Sequence, residues 1–167
     1  MRLLPNLGLV SALLLFSVFP ALSQEDDPTV PSDGEYFDIQ GCLDGVADGI
    51  SNGYACIGTV SGPCLEKPDS ESTVMMEACA KRELVIWDGL LNDTYGTLID
   101  KASPEQKKAL QTSQCAWISM RDKSCEYEAL LWEGGSGAGL AGELCRVHIT
   151  GERVVFLATI VLAQNEQ

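Results

Sequence analysis

Apolar positions recur at helical spacing through most of the chain. Tyr36, Ile39, Leu43, Val46 and Ile50 step by three and four, which predicts an amphipathic helix. Gly41, Gly45 and Gly49 lie within it and predict that it is short or partly irregular. Residues 51–71 carry Gly53, Gly58, Gly62, Pro63 and Pro68 and read as a compact loop held by cysteines, with room for one helical turn. The longest pattern follows: Met76, Ala80, Leu84, Trp87, Leu91, Tyr95 and Leu98, with no proline among them. Ser103-Pro104-Glu105-Gln106 then restarts a helix, with serine as cap, proline in the first turn and glutamine reaching back. Its expected buried face is Leu110, Ser113, Trp117, Met120, Ser124, Tyr127 and Leu131. The short connection from Lys101 to Ser103 makes these two helices antiparallel neighbours.

Glu133–Gly142 (EGGSGAGLAG) reads as a flexible loop. A last helix is expected from about Leu144 to Leu162, with Leu144, Val147, Val154, Leu157 and Val161 inward. Its β-branched residues leave a strand as the alternative. The pattern predicts an all-α fold: a small bundle of three main helices with a disulfide-stapled N-terminal extension.

The N-terminus changes where such a fold would work. Arg2 precedes an apolar run from Leu7 to Phe19, Pro20 breaks it, and Ala21-Leu22-Ser23 offers small side chains before Gln24. This is the layout of a secretory leader cleaved after Ser23. Thirteen apolar residues fall short of the about 20 needed to cross a bilayer, and no other stretch reads as long and apolar enough. The parse is a signal peptide at 1–23, a disordered acidic lead-in at 24–35, a cysteine-containing extension at 36–72 and a helical domain at 73–163. The expected location is the periplasm or outside the cell, without a membrane anchor after cleavage.

The net charge of −13 becomes more negative once Arg2 is removed. Such a chain repels nucleic acid and anionic membranes and attracts basic partners. Its seven cysteines, in an oxidising compartment, read as a disulfide framework with one left over or paired between chains. Zinc is disfavoured, because there is no C-x-x-C and His148 has no second histidine.

Catalytic and cofactor chemistry is poorly supplied. Gly137-x-Gly139-x-x-Gly142 has the spacing of a dinucleotide turn but follows a helix rather than a strand, so no cofactor is expected. Asp88 and Asp122, on different helices, are the one carboxylate pair that could act on a cell-wall glycan. Lys107, Lys108 and Arg121 do not flank Cys115 at contact spacing. Asn92-Asp93-Thr94 fits a glycan acceptor but lies inside a helix, which favours a structural role for Asn92. What stands out is a polar network of Asp88, Asn92, Tyr95, Gln114, Trp117, Arg121 and Asp122, with Asp88 as partner for Arg121. Fixing helix register is its first expected role.

The same residues carry a resemblance. Met76-Glu77-x-Cys79, Trp87-Asp88-x-x-Leu91-Asn92-x-x-Tyr95 and Gln114-x-Ala116-Trp117-x-x-x-Arg121-Asp122-x-x-Cys125 stand in that order. Gly134-Gly135-Ser136, Cys145 and Thr150-x-x-Arg153 follow. From Met76 to about Leu157 the chain resembles the LprI-like lysozyme-inhibitor domain of exported bacterial proteins. That resemblance implies an all-helical periplasmic or surface protein, and the poor supply of catalytic residues adds the expectation that it is not an enzyme. Arginine is usual where this chain has Cys115, which makes Cys115 the candidate free thiol. The resemblance also implies a Cys125–Cys145 bridge, whose closure would contribute about 3 kcal/mol. The remaining pairs are assigned as Cys64–Cys79 and Cys42–Cys56.

The partner implied is a basic lysozyme-type muramidase, bound through a loop of Glu133, Gly134, Gly135 and Ser136. The alternative is a non-enzymatic structural or envelope-stress protein with another partner. Oligomeric state is left open.

Overall fold

The structure is a computed structural model that describes residues 27–47 and 52–165. The expected leader lies outside the described residues, as do Ile50 and the side chain of Val46. The described residues form an all-α protein with five α-helices: α1 (Asp33–Ala47), α2 (Ser61–Leu65), α3 (Thr73–Lys101), α4 (Pro104–Leu130) and α5 (Ala138–Asn165). The count of three main helices therefore holds for the long ones, and two shorter helices join them. Between α1 and α3, two 3-10 turns (Gly53–Cys56 and Pro68–Ser70) flank α2, so the segment expected to be loop is a string of helical turns.

The helix starts follow local chemistry. Ser103 and Gln106 form a reciprocal capping box at α4, and the Ser72 hydroxyl accepts from Met75 N at α3. A second box starts α1 inside the expected lead-in. Glu35 Oε2 accepts from Ser32 N at 2.8 Å, while the Ser32 hydroxyl accepts from Glu35 N at 3.3 Å. The other oxygen of Glu35 lies 3.6 Å from Arg82 Nε, tying α1 to α3.

Helix α5 organises the bundle. It runs parallel to α3, with Glu77 beside Gly139 at one end and Lys101 Nζ 3.1 Å from Asn165 at the other. It runs antiparallel to α4, where Gln114 meets Arg153 and Cys125 meets Cys145. Both α3 and α4 pack on α5, and they share no extended interface of their own. The expected side-by-side pairing of α3 and α4 is corrected accordingly: the turn at Ala102 reverses the chain, but each helix packs mainly on α5, and Arg121 of α4 reaches Asp88 of α3.

The shared core centres on Trp87, Ile86, Leu91, Val147, Val154 and Leu157. Ile39, Cys56 and Val60 of the extension join it, so extension and bundle bury one continuous apolar cluster. Burial of each such large side chain is worth about 1.5–3 kcal/mol. Close approach explains Gly151: a Cβ there would lie 2.7 Å from Ile57 and 3.3 Å from Trp87.

Two expectations about α5 are overturned. It is one continuous helix beginning at Ala138, so the Gly137–Gly142 segment is mostly its first turns, not loop. An 18-residue window within it has a mean hydropathy of 1.3, so by length and composition alone the helix is long and apolar enough to cross a membrane. Here it is instead the helix on which both neighbours pack, burying Val147, Thr150, Val154 and Leu157.

Candidate binding surface

The buried group that most constrains the surface lies beneath it. Glu83 of α3 is fully buried. Its Oε1 accepts from Gly58 N at 2.6 Å and from Trp87 Nε1 at 2.9 Å. Its Oε2 accepts from Ser61 N at 2.6 Å and Val60 N at 3.3 Å. A buried carboxylate is tolerated only when its lone pairs are filled this way. Glu83 thus holds the start of α2 against α3 while setting the Trp87 ring. Sequence reading missed it. The available signal was its four-residue spacing from Trp87, which puts carboxylate and indole on one helical face.

Three disulfides brace the same frame: Cys42–Cys56, Cys64–Cys79 and Cys125–Cys145. The first links α1 to the first 3-10 turn, the second α2 to α3, and the third α4 to α5. Cys115 is a free, exposed thiol on α4.

The seam between α4 and α5 is polar. The Arg121 guanidinium is mostly buried and reaches Asp88 Oδ1 at 3.3 Å, Thr150 Oγ1 at 3.4 Å and Asp122 Oδ1 at 3.0 Å. It also lies 5.1 Å from the centre of the Trp117 ring. Partial burial raises Asp88 above the usual carboxylate range; Arg121 pulls it back and the Asp122 charge pushes it up. Arg153 sits 5.7 Å from the same Trp117 ring and 5.5 Å from Phe156. It donates to Gln114 Oε1 and Ser113 Oγ, each at 3.1 Å. Burial lowers Arg153 from the ordinary arginine value.

Of the expected network, the structure brings together Asp88, Gln114, Trp117, Arg121 and Asp122. Asn92 is exposed outside it, and Tyr95 packs against the apolar core. Ser113, Thr150 and Arg153 complete the cluster. The last two were visible as one helical step, Thr150-x-x-Arg153, without a stated role. Asp88 and Asp122 bind one guanidinium between them rather than facing each other across a cleft.

The expected buried face of α4 is corrected. Met120, Ser124, Tyr127 and Leu131 are exposed, and Ser113 with them. The inward side is Leu110, Gln114, Trp117, Arg121 and Cys125, rotated around the helix because the disulfide and the two guanidinium–indole contacts set its facing.

At the far end of α4 the chain turns tightly. Glu133 and Gly134 both take positive φ, 48° and 77°, and Gly135 N donates to Trp132 O at 2.7 Å. Glu133, Gly134, Gly135 and Ser136 are exposed, as are Tyr127, Leu130, Leu131 and Trp132 beside them. Trp132 lies over Gly137, where a Cβ would come within 2.5 Å of its ring carbons.

Fold and side chains together define a small, disulfide-braced all-α protein whose buried Glu83 is fully hydrogen-bonded and which exposes four contiguous large apolar side chains at the α4–α5 turn. A family model described as Lysozyme inhibitor LprI matches residues 64–157, more than half of the chain. The chain belongs to that family. No curated protein and no solved structure matched it.

Proposed function

We propose that this protein acts outside the cytoplasm as a non-enzymatic inhibitor of a lysozyme-type muramidase, docking through the α4–α5 turn. Family membership supports the class of partner. The observation that carries the docking site is the turn itself. Tyr127, Leu130, Leu131 and Trp132 are each more than half exposed and contiguous with Glu133–Ser136. An apolar protrusion of this kind is what an interface anchor requires. The Cys125–Cys145 bridge closes the segment and reduces the ordering cost of binding.

The net charge of −13 would steer the protein toward a basic enzyme, so inhibition should weaken as salt rises. The test is turnover of cell walls by several muramidases, with and without the oxidised protein, at low and physiological salt. Stoichiometric inhibition lost on Leu131→Ser with Trp132→Ser supports the reading. Inhibition unchanged by those substitutions removes the turn from it. No inhibition of any muramidase leaves the structural or envelope-stress alternative.

A further inference from the structure

Arg153 is not used by the docking turn. The described arginines are Arg82, Arg121, Arg146 and Arg153, and the first three each pair with carboxylates: Glu35, Asp88 with Asp122, and Glu143. Arg153 donates only to the neutral Gln114 and Ser113, although the chain carries 24 acidic residues. Its neighbour Glu152 is engaged by His148 at 3.2 Å. Two of its N–H groups are thereby used, and a guanidinium has more to give.

Those remaining donors border a shallow cavity of about 290 Å³ lined by Tyr54, Trp117, Met120, Ile149, Glu152, Arg153 and Phe156. Three aromatic rings from three elements and one guanidinium whose hydrogen bonds are all to neutral groups therefore line one recess. The guanidinium is held in place between the Trp117 and Phe156 rings. A carboxylate is the natural counterpart of a pre-positioned guanidinium, and such charge-assisted bonds are the strong ones. Aromatic walls suit the apolar face of a ring, while Tyr54 and Glu152, whose Oε1 alone is held by His148, add polar groups to the lining that call for hydrogen-bonding partners. A hydrocarbon acid would offer Glu152 only like charge. A hydroxylated ring offers it donors.

We infer that the recess between α4, α5 and the first 3-10 turn binds a hydroxylated ring bearing one carboxylate, a sugar acid, with Arg153 as its anion anchor and Trp117 and Phe156 as its walls. The site is distinct from the docking turn and does not depend on muramidase inhibition.

The test is a titration of the full oxidised protein, followed by the indole N–H of Trp117 in nitrogen–proton NMR spectra and assigned with Trp117→Phe. The probes are N-acetylmuramic acid, its methyl ester, N-acetylglucosamine and phenylacetate. The expected result is a saturable shift of the Trp117 signal with N-acetylmuramic acid at millimolar concentration. About tenfold weaker binding is expected for the ester and for N-acetylglucosamine, both lacking the charge. Arg153→Gln should cause the same loss. The ester comparison needs no variant and so stands even if that substitution disturbs folding. No shift with N-acetylmuramic acid, or equal binding of acid and ester, would overturn the assignment. Phenylacetate binding as tightly as the sugar acid would overturn the hydroxylated-ring class.

Discussion

Helices α3 and α4 are nearly equal in length, 29 and 27 residues, and pack on the same helix, α5, in opposite directions. Helix α3 buries nine residues, among them Ile86, Trp87, Leu90 and Leu91, whereas α4 buries only Cys125. The α3–α5 interface is an ordinary apolar core, and on α3 beside it one satisfied carboxylate, Glu83, ties the N-terminal extension to the bundle. The α4–α5 interface is a disulfide, two guanidinium groups against Trp117, and a few side-chain hydrogen bonds. Stability and surface chemistry are therefore divided: α3 holds the fold, and α4 is free to carry apolar residues outward.

The sharpest way to break this division is at Glu83. Replacing it with alanine leaves the N–H groups of Gly58, Val60 and Ser61 and the Trp87 indole N–H without their acceptor. At about 1–3 kcal/mol for each buried orphan, the expected loss exceeds about 4 kcal/mol. Urea unfolding followed by tryptophan fluorescence measures it. A loss below about 1 kcal/mol would mean that the extension is not anchored through this carboxylate.

Two leucines, one in each region, test the regions against each other. Leu157, 1% exposed on α5 within the shared core, should cost about 2–5 kcal/mol as alanine. Leu131, 60% exposed after α4, should change stability by less than about 0.5 kcal/mol under the same substitution. Equal effects at both positions would show that the α4 surface is covered in solution.

How much of this was legible follows the same line. The α3 stripe reads correctly because apolar spacing and burial coincide there: Ala80, Trp87, Leu91 and Leu98 are all buried. The α4 capping box is likewise a local property of four adjacent residues. Its facing was misread because Met120, Tyr127 and Leu131 look like core, while the residues that do turn inward include Gln114 and Arg121. Periodicity weighs hydropathy, and here a covalent bridge and cation–π contacts outweigh it. Ser32-x-x-Glu35 was open to the same capping argument as Ser103 but was hidden by its acidic surroundings. Glu83 and Arg153 left only local traces, the four-residue spacing to Trp87 and the step from Thr150, while their roles lie in which distant backbone and side chains reach them.

Removing the Cys125–Cys145 bridge by alanine at both positions isolates the polar seam. The 20-residue separation predicts a loss of about 3 kcal/mol. Because α4 has little buried apolar surface of its own, amide exchange should accelerate in α4 well beyond the change in α3. Uniform acceleration in both helices would mean that they unfold as one unit and would remove the division drawn above.

The smallest effect is electrostatic and tests the seam from inside. Asp88 is raised by burial while Arg121 pulls it down, so its carboxyl should titrate above the ordinary value of 3.8. In Arg121→Gln that pull is absent, and the Asp88 midpoint should move higher still, read from its side-chain carbon resonance in NMR. The sign of the linkage follows: a carboxyl with a raised folded pKa binds its proton more tightly when folded. Its contribution therefore favours the fold increasingly as pH falls through the raised folded value toward 3.8, and disfavours it above that window. Glu126 runs the other way, lowered by its hydrogen bond and ion pair with Lys123, so its support is lost as pH falls through its lowered value. A midpoint for Asp88 that falls in Arg121→Gln would mean that Arg121 is not its partner in solution, and that α3 and α4 meet only through α5.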